Sequence, residues 1–154
     1  MLRRHITRAR DGSYRLRLSP AEQELMRSLP AELESLLEVR DDPSLWRLFP
    51  AAYEDAETQD EYEGLVGGAL LDERLRALAT IRQTVAQDRL TEDEAEAWLT
   101  GINALRLLLG TRLDVREDEQ LSLDPSNPRS HEAAIYLYLS WLQEQLVDAM
   151  AGAL

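Results

Sequence analysis

The sequence predicts an all-α protein, a compact helical bundle of four to six helices preceded by a small N-terminal β-hairpin. Three observations predict it. Three Ser/Thr-x-x-Glu capping boxes mark helix starts at Ser19–Glu22, Thr58–Glu61 and Thr91–Glu94. Long stretches after them repeat apolar residues at spacings of three and four, the period of a helix face. Before the first box, Asp11-Gly12 divides two short runs, the second of which alternates apolar and cationic residues.

The elements follow in order. Ile6–Arg10 and Ser13–Leu18 flank Asp11-Gly12, a pair favoured in type I′ turns, which sets up a two-residue hairpin. Tyr14, Leu16 and Leu18 form one face and Arg15 and Arg17 the other. An isolated hairpin is marginal in water, so the apolar face is expected to pack on helices. Ser19-Pro20 opens a helix with Leu25, Met26, Leu29, Leu33, Leu36 and Leu37 on one stripe. Pro30 lacks a backbone donor, so a kink or two short helices is expected there.

Ser44–Pro50 reads as an apolar connector, and the box at Thr58 opens a helix to about Gln87, with Leu71, Leu75, Leu78, Ile81 and Val85 in its stripe. The box at Thr91 starts a third long helix, for which Gly110 suits the C-terminal stop. A polar loop with Pro125 and Pro128 leads to the last helix, from about Ser130. This helix is apolar nearly all round between Ala133 and Leu142, fit for the centre of a bundle or for an interface shared with a second copy.

The 154 residues suit a single domain spanning 1–154, with a basic hairpin (1–18) and an acidic helical body (19–154). Net charge is −12, all 17 basic residues are arginine, and six of them fall in the first 18 residues beside one acid. The hairpin segment therefore carries +5 and the rest −17. The absence of lysine fits a high-GC genome. There is no apolar run of membrane-spanning length and no signal-peptide pattern opens the chain, so a cytoplasmic protein without a membrane partner is expected.

Chemistry is easier to exclude than to find. Without cysteine there is no disulfide, thiolate ligand, thiol nucleophile or thiol switch. Two histidines, His5 and His131, far apart in sequence, supply zinc chemistry poorly, and neither has a glutamate three residues before it to form a di-iron motif. Gly67-Gly68 matches neither a P-loop nor a dinucleotide fingerprint. Nothing argues for an enzyme, a metal or a cofactor.

The turn at Asp88–Thr91 has helix-turn-helix length, but the helix after it begins Glu92-Asp93-Glu94-Ala95-Glu96. Four carboxylates at the end that meets base edges would repel DNA. The hairpin arginines Arg8, Arg10, Arg15 and Arg17 are the candidate partner-binding residues. A solvated structural hairpin, a protein contact and a nucleic-acid contact are all compatible with them. Arg47, Arg106 and Arg112 sit among apolar residues. They read as semi-buried arginines paired with an acid such as Asp60 or Glu61, the alternative being a small-anion sensor.

Arg47-Leu48-Phe49-Pro50, Ala52-Tyr53, Glu61-Tyr62, Trp98-Leu99 and the run Leu105–Leu113, which contains Arg106, Gly110 and Arg112, carry a resemblance. The chain resembles a small actinobacterial family named after the oxidative stress regulator AosR and long known as a domain of unknown function. The resemblance spans almost the whole chain, the run from Leu105 to Leu113 being its most specific part. It implies a regulatory protein, linked to transcription and oxidative stress, acting partly through a protein partner such as a sigma factor or RNA polymerase. Redox sensing of the AosR kind relies on cysteines, so thiol sensing does not carry over to a chain with none. The expectation is therefore a non-enzymatic interaction protein. The alternative is a scaffold or a homodimer formed through the last helix.

Overall fold

In a computed structural model of the chain, residues 4–39, 68–112 and 130–152 are described. Two of the three capping boxes fall within them and both form reciprocally. Ser19 N donates to Glu22 Oε1 (3.0 Å) and Glu22 N to Ser19 Oγ (3.2 Å), starting α1 (Pro20–Val39). Thr91 N donates to Glu94 Oε1 (2.8 Å) and Glu94 N to Thr91 Oγ1 (3.1 Å), opening the helix Glu92–Arg112. Each box satisfies two amide groups that the first helical turn leaves without partners. The third box, at Thr58, lies outside the described residues.

Among the described residues there are four helices and one three-stranded antiparallel sheet. The strands are β1 (Ile6–Arg8), β2 (Tyr14–Leu16) and β3 (Arg89–Leu90), in the order β1-β2-β3. The remaining helices are α2 (Gly68–Thr84), α3 (Glu92–Arg112) and α4 (Ser130–Ala151). The chain is thus all-α with a small N-terminal sheet.

Several expectations are corrected. The hairpin turn is a three-residue loop, not a two-residue one. Ala9 N donates to Ser13 O (2.8 Å), Gly12 N to Ala9 O (3.2 Å), and Gly12 sits at φ 89°. This is the hydrogen-bond pattern of a turn closed by one left-handed residue, and it pairs Ile6 with Leu16 and Arg8 with Tyr14. Arg10 lies in the loop instead of the strand. The sequence 88–91, expected as a turn, supplies β3, whose Arg89 and Leu90 oppose Arg15 and Tyr14. α1 runs through Pro30 without a break, and α3 continues two residues past Gly110. α2 ends at Thr84, three residues before the expected end.

The faces of the hairpin are as expected. Ile6, Tyr14, Leu16 and Leu90 are buried in the same core as the helices, while Arg15 and Arg17 are exposed. The centre of the core is α3, whose Trp98, Ile102 and Leu105 are almost fully buried against α2 and α4. α2 and α3 run antiparallel: Trp98 Nε1 donates to Thr84 Oγ1 (2.7 Å), and Gly101, one turn along, lies on Ile81 and Ala77. A Cβ at Gly101 would stand 2.5 Å from Ile81 Cδ1, so a larger residue there needs the end of the Ile81 side chain to turn aside. No described helix is long and apolar enough to cross a membrane.

Candidate functional site

The three-residue loop and the added strand together create a site. Because β2 is central, its outward residue Arg15 has Thr7 beside it on β1 and Arg89 on β3, one row across the exposed face. At the loop end, Thr7, Arg8, Ala9, Arg10, Asp11, Arg15 and Arg89 line an open cleft of about 370 Å³. Four arginine residues and one aspartate thus line the cleft, although Arg8, level with the buried Tyr14, sends its guanidinium to the other face of the sheet.

That carboxylate, Asp11, is held by its own turn. Ser13 donates to Asp11 Oδ1 from its backbone amide (3.0 Å) and from its hydroxyl (2.6 Å). Arg89 Nη1 donates to Asp11 Oδ2 at 3.0 Å, closing the loop onto β3. The Ser13 hydroxyl and amide hold the carboxyl below its ordinary value, outweighing the opposing effect of burial, and Arg89 adds a smaller pull in the same direction. Arg8 reaches across the end of α4, donating from Nη1 to the Gly152 carbonyl (3.2 Å), where the partial negative end of that helix favours a cation. A preformed, solvent-open set of arginines suits bidentate recognition of an anion.

Of the expected partner-binding residues, Arg8, Arg10 and Arg15 line the cleft. Arg17 is exposed one residue past β2 and does not line the cleft. Arg89 was missed by the sequence reading, because a two-residue strand has no alternation to betray it. Arg47, Phe49, Pro50 and Tyr53 lie outside the described residues, as do Asp60 and Glu61.

Arg106 is half-buried and, among the described residues, meets neutral oxygens; the acids expected to pair with it lie outside them. Its Nε donates to Ser140 Oγ (2.9 Å), Nη1 to Gln143 Oε1, and its guanidinium carbon stands 5.4 Å from the centre of the Tyr136 ring. It pins α3 to α4. Gly110 is buried inside α3, and Arg112 is the last residue of that helix.

A second polar cluster joins the hairpin to two helices. Glu22, the residue that closes the first capping box, also accepts from the Tyr138 hydroxyl (2.6 Å), and His5 Nε2 lies 3.0 Å from its Oε1. Burial pushes the Glu22 carboxyl up. The Tyr138 hydroxyl, Ser19 and His5 outweigh it, and the net value is below the ordinary carboxylate range. Burial and the same carboxylate push the Tyr138 phenol far up. The His5 ring meets Trp141 edge-on, with centroids 4.8 Å apart. With its oxygens so engaged, Glu22 acts as a clamp. Beside it an apolar cleft of about 320 Å³ opens between α1 and α4, lined in part by Leu25, His131, Ile135 and Trp141. Among the described residues no three His, Asp or Glu side chains are grouped to hold a metal ion.

Comparison with known proteins places the chain. An oxidative stress regulator AosR from Mycobacterium tuberculosis (strain H37Rv) is 27% identical over 94% of this chain and 85% of its own length. The Mycobacterium bovis protein of the same name matches to the same extent. No solved structure matches the chain. The family described as Domain of unknown function (DUF2017) matches residues 3–150, from the hairpin through the last helix, and the chain belongs to that family.

Proposed function

We propose that this protein is a non-enzymatic regulator in the oxidative stress response, acting by contact with a protein partner through the arginine face of its sheet. The regulatory role is supported by relatives named oxidative stress regulator AosR, aligned over 94% of the chain. The observation that carries the contact is that Arg8, Arg10, Arg15 and Arg89 line one open cleft. Regulation here proceeds without thiol sensing, since the chain has no cysteine. The partner presents an acidic surface and belongs to the transcription machinery, a sigma factor or RNA polymerase. DNA is the weaker candidate, because residues 19–154 carry −17 and repel a phosphate backbone.

The test is a nuclease-treated pull-down from the native host, comparing wild type with the variant R8Q/R10Q/R15Q/R17Q by mass spectrometry. Recovery of a sigma factor or RNA polymerase by the wild type alone supports the reading. Equal recovery by both, or by neither, overturns it.

A homodimer through α4 is the second reading, favoured by two large apolar side chains, Leu137 and Val147, left 37% and 45% exposed on that helix. Light scattering decides it: a mass of about twice 17.5 kDa supports a dimer and 17.5 kDa overturns it.

A further inference from the structure

Arg15 and Arg89 stand directly opposite each other on β2 and β3. Leu16 N donates to Asp88 O (2.9 Å), which makes the next pair along the ladder, Arg15 with Arg89, the close, non-hydrogen-bonded kind. Like charges in that position repel, and the face is open to solvent, where any polar residue would serve the fold. An anion between the two arginines removes the repulsion. The free protein already places one there in part: Asp11 Oδ2 pairs with Arg89 at 3.0 Å, while Arg10 and Arg15 make no ion pair among the described residues.

We infer that the arginine cleft is a self-occupied carboxylate site, in which Asp11 holds Arg89 until a glutamate- or aspartate-rich segment of the partner replaces it. The inference rests on the reading of the arginine face as the partner contact and adds Arg89 and Asp11 to it. A carboxylate is the group the cleft already holds, and the row Thr7, Arg15, Arg89 offers an extended acidic segment two cationic side chains to lie along. The internal pair is exposed on both sides, with side chains 48% and 60% accessible, so it is weak enough to exchange.

The test uses the full chain and fluorescein-labelled octaglutamate, read by fluorescence anisotropy at low salt. Asp11→Asn keeps the Oδ1 acceptor for Ser13 and removes the charge that competes for Arg89. It is expected to tighten binding about two- to fivefold, the range of one exposed ion pair. Asp88→Asn, an exposed acid outside the cleft lining, changes net charge equally and is expected to shift affinity less. Arg89→Gln is expected to weaken binding several-fold with an unchanged far-ultraviolet circular dichroism melt.

Equal effects of Asp11→Asn and Asp88→Asn overturn the internal occupant, as does no effect of either. If R8Q/R10Q/R15Q/R17Q still loses binding in that case, the arginine-face reading survives alone. No binding of octaglutamate to the wild type overturns the carboxylate site, and the pull-down then judges the face independently. Tighter binding of an eight-nucleotide single-stranded DNA than of octaglutamate assigns the cleft to phosphodiesters and overturns the inference.

Discussion

Gln145, deep in α4, accepts the backbone amide of His5 through its side-chain oxygen at 2.7 Å. The same oxygen takes the Ile6 amide at 3.3 Å. β1 is an edge strand whose Ile6 amide points away from β2, and His5 stands just before it, so a helix side chain serves the open edge where no strand does. Ile6 is fully buried and Gln145 nearly so, which leaves little water to substitute. Gln145→Met keeps the length and removes the acceptor, and is expected to cost about 2–3 kcal/mol of unfolding free energy. Urea denaturation measures it. A loss below about 0.5 kcal/mol would show that the edge finds another partner.

Tyr138 and Glu22 make the stability depend on pH at both ends. The Glu22 carboxyl lies below its ordinary 4.5, so its contribution is full above that value and is lost as pH falls through the folded one. The Tyr138 phenol lies above its ordinary 10.0, so its contribution is full below 10.0 and is lost as pH rises beyond it. Tyr138→Phe removes a donor to a charged group and is expected to cost about 1.5–3 kcal/mol at neutral pH. The variant should lose less stability than wild type on acidification and on alkalinisation. Unfolding free energies measured for both proteins from about pH 3 to 11 test this. Parallel curves would refute the coupling.

Much of the frame was legible in the sequence, because its signals are local. Each described capping box needs only residues three apart, and both form as read. Tyr14 and Leu16 alternate with Arg15 and Arg17 over a span short enough to assign faces, and those faces hold. What escaped depends on distance. Whether Arg10 belongs to strand or loop is decided by the register of β1 against β2, and one residue of slip moves it. β3 is two residues long and exists because β2 offers it an open edge, so Arg89 joins Arg15 only in three dimensions. Pro30 is carried through α1 because Met26, Leu29 and Leu33, buried around it, stabilise the helix more than one missing hydrogen bond costs. The arginine set was three-quarters readable in advance, and the residue that completes it was not.

Gly101 lies against Ile81 where α3 packs on α2, and the two positions should be coupled. Gly101→Ala gains about 1 kcal/mol of helix propensity but places its Cβ against Ile81 Cδ1, an overlap of a kind that costs about 1–3 kcal/mol. Ile81→Val deletes that methyl carbon and alone costs about 0.5–1.5 kcal/mol as a small cavity. Together the substitutions exchange one carbon for another, so the double variant should be more stable than the sum of the singles by about 1 kcal/mol or more. A double-mutant cycle by thermal or urea unfolding measures the difference. Additivity within about 0.3 kcal/mol would show that the helices shift apart instead.

The opposed pair Arg15 and Arg89 should set stability against binding. If the two cations face each other for the sake of a partner's anion, relieving them in the free protein is favourable. Arg15→Thr removes one charge, keeps a residue suited to a strand, and retains the backbone pairing with Thr7. It is expected to raise unfolding free energy by up to about 1 kcal/mol at low salt. The gain should shrink as added salt screens the repulsion in the wild type. The same variant should bind octaglutamate several-fold more weakly. A residue that lowers stability and raises affinity is there for contact, whereas one whose loss destabilises the fold is there for structure. Paired melts and binding curves at about 20 and 500 mM sodium chloride separate the two. A destabilised Arg15→Thr with unchanged binding would return Arg15 to the scaffold.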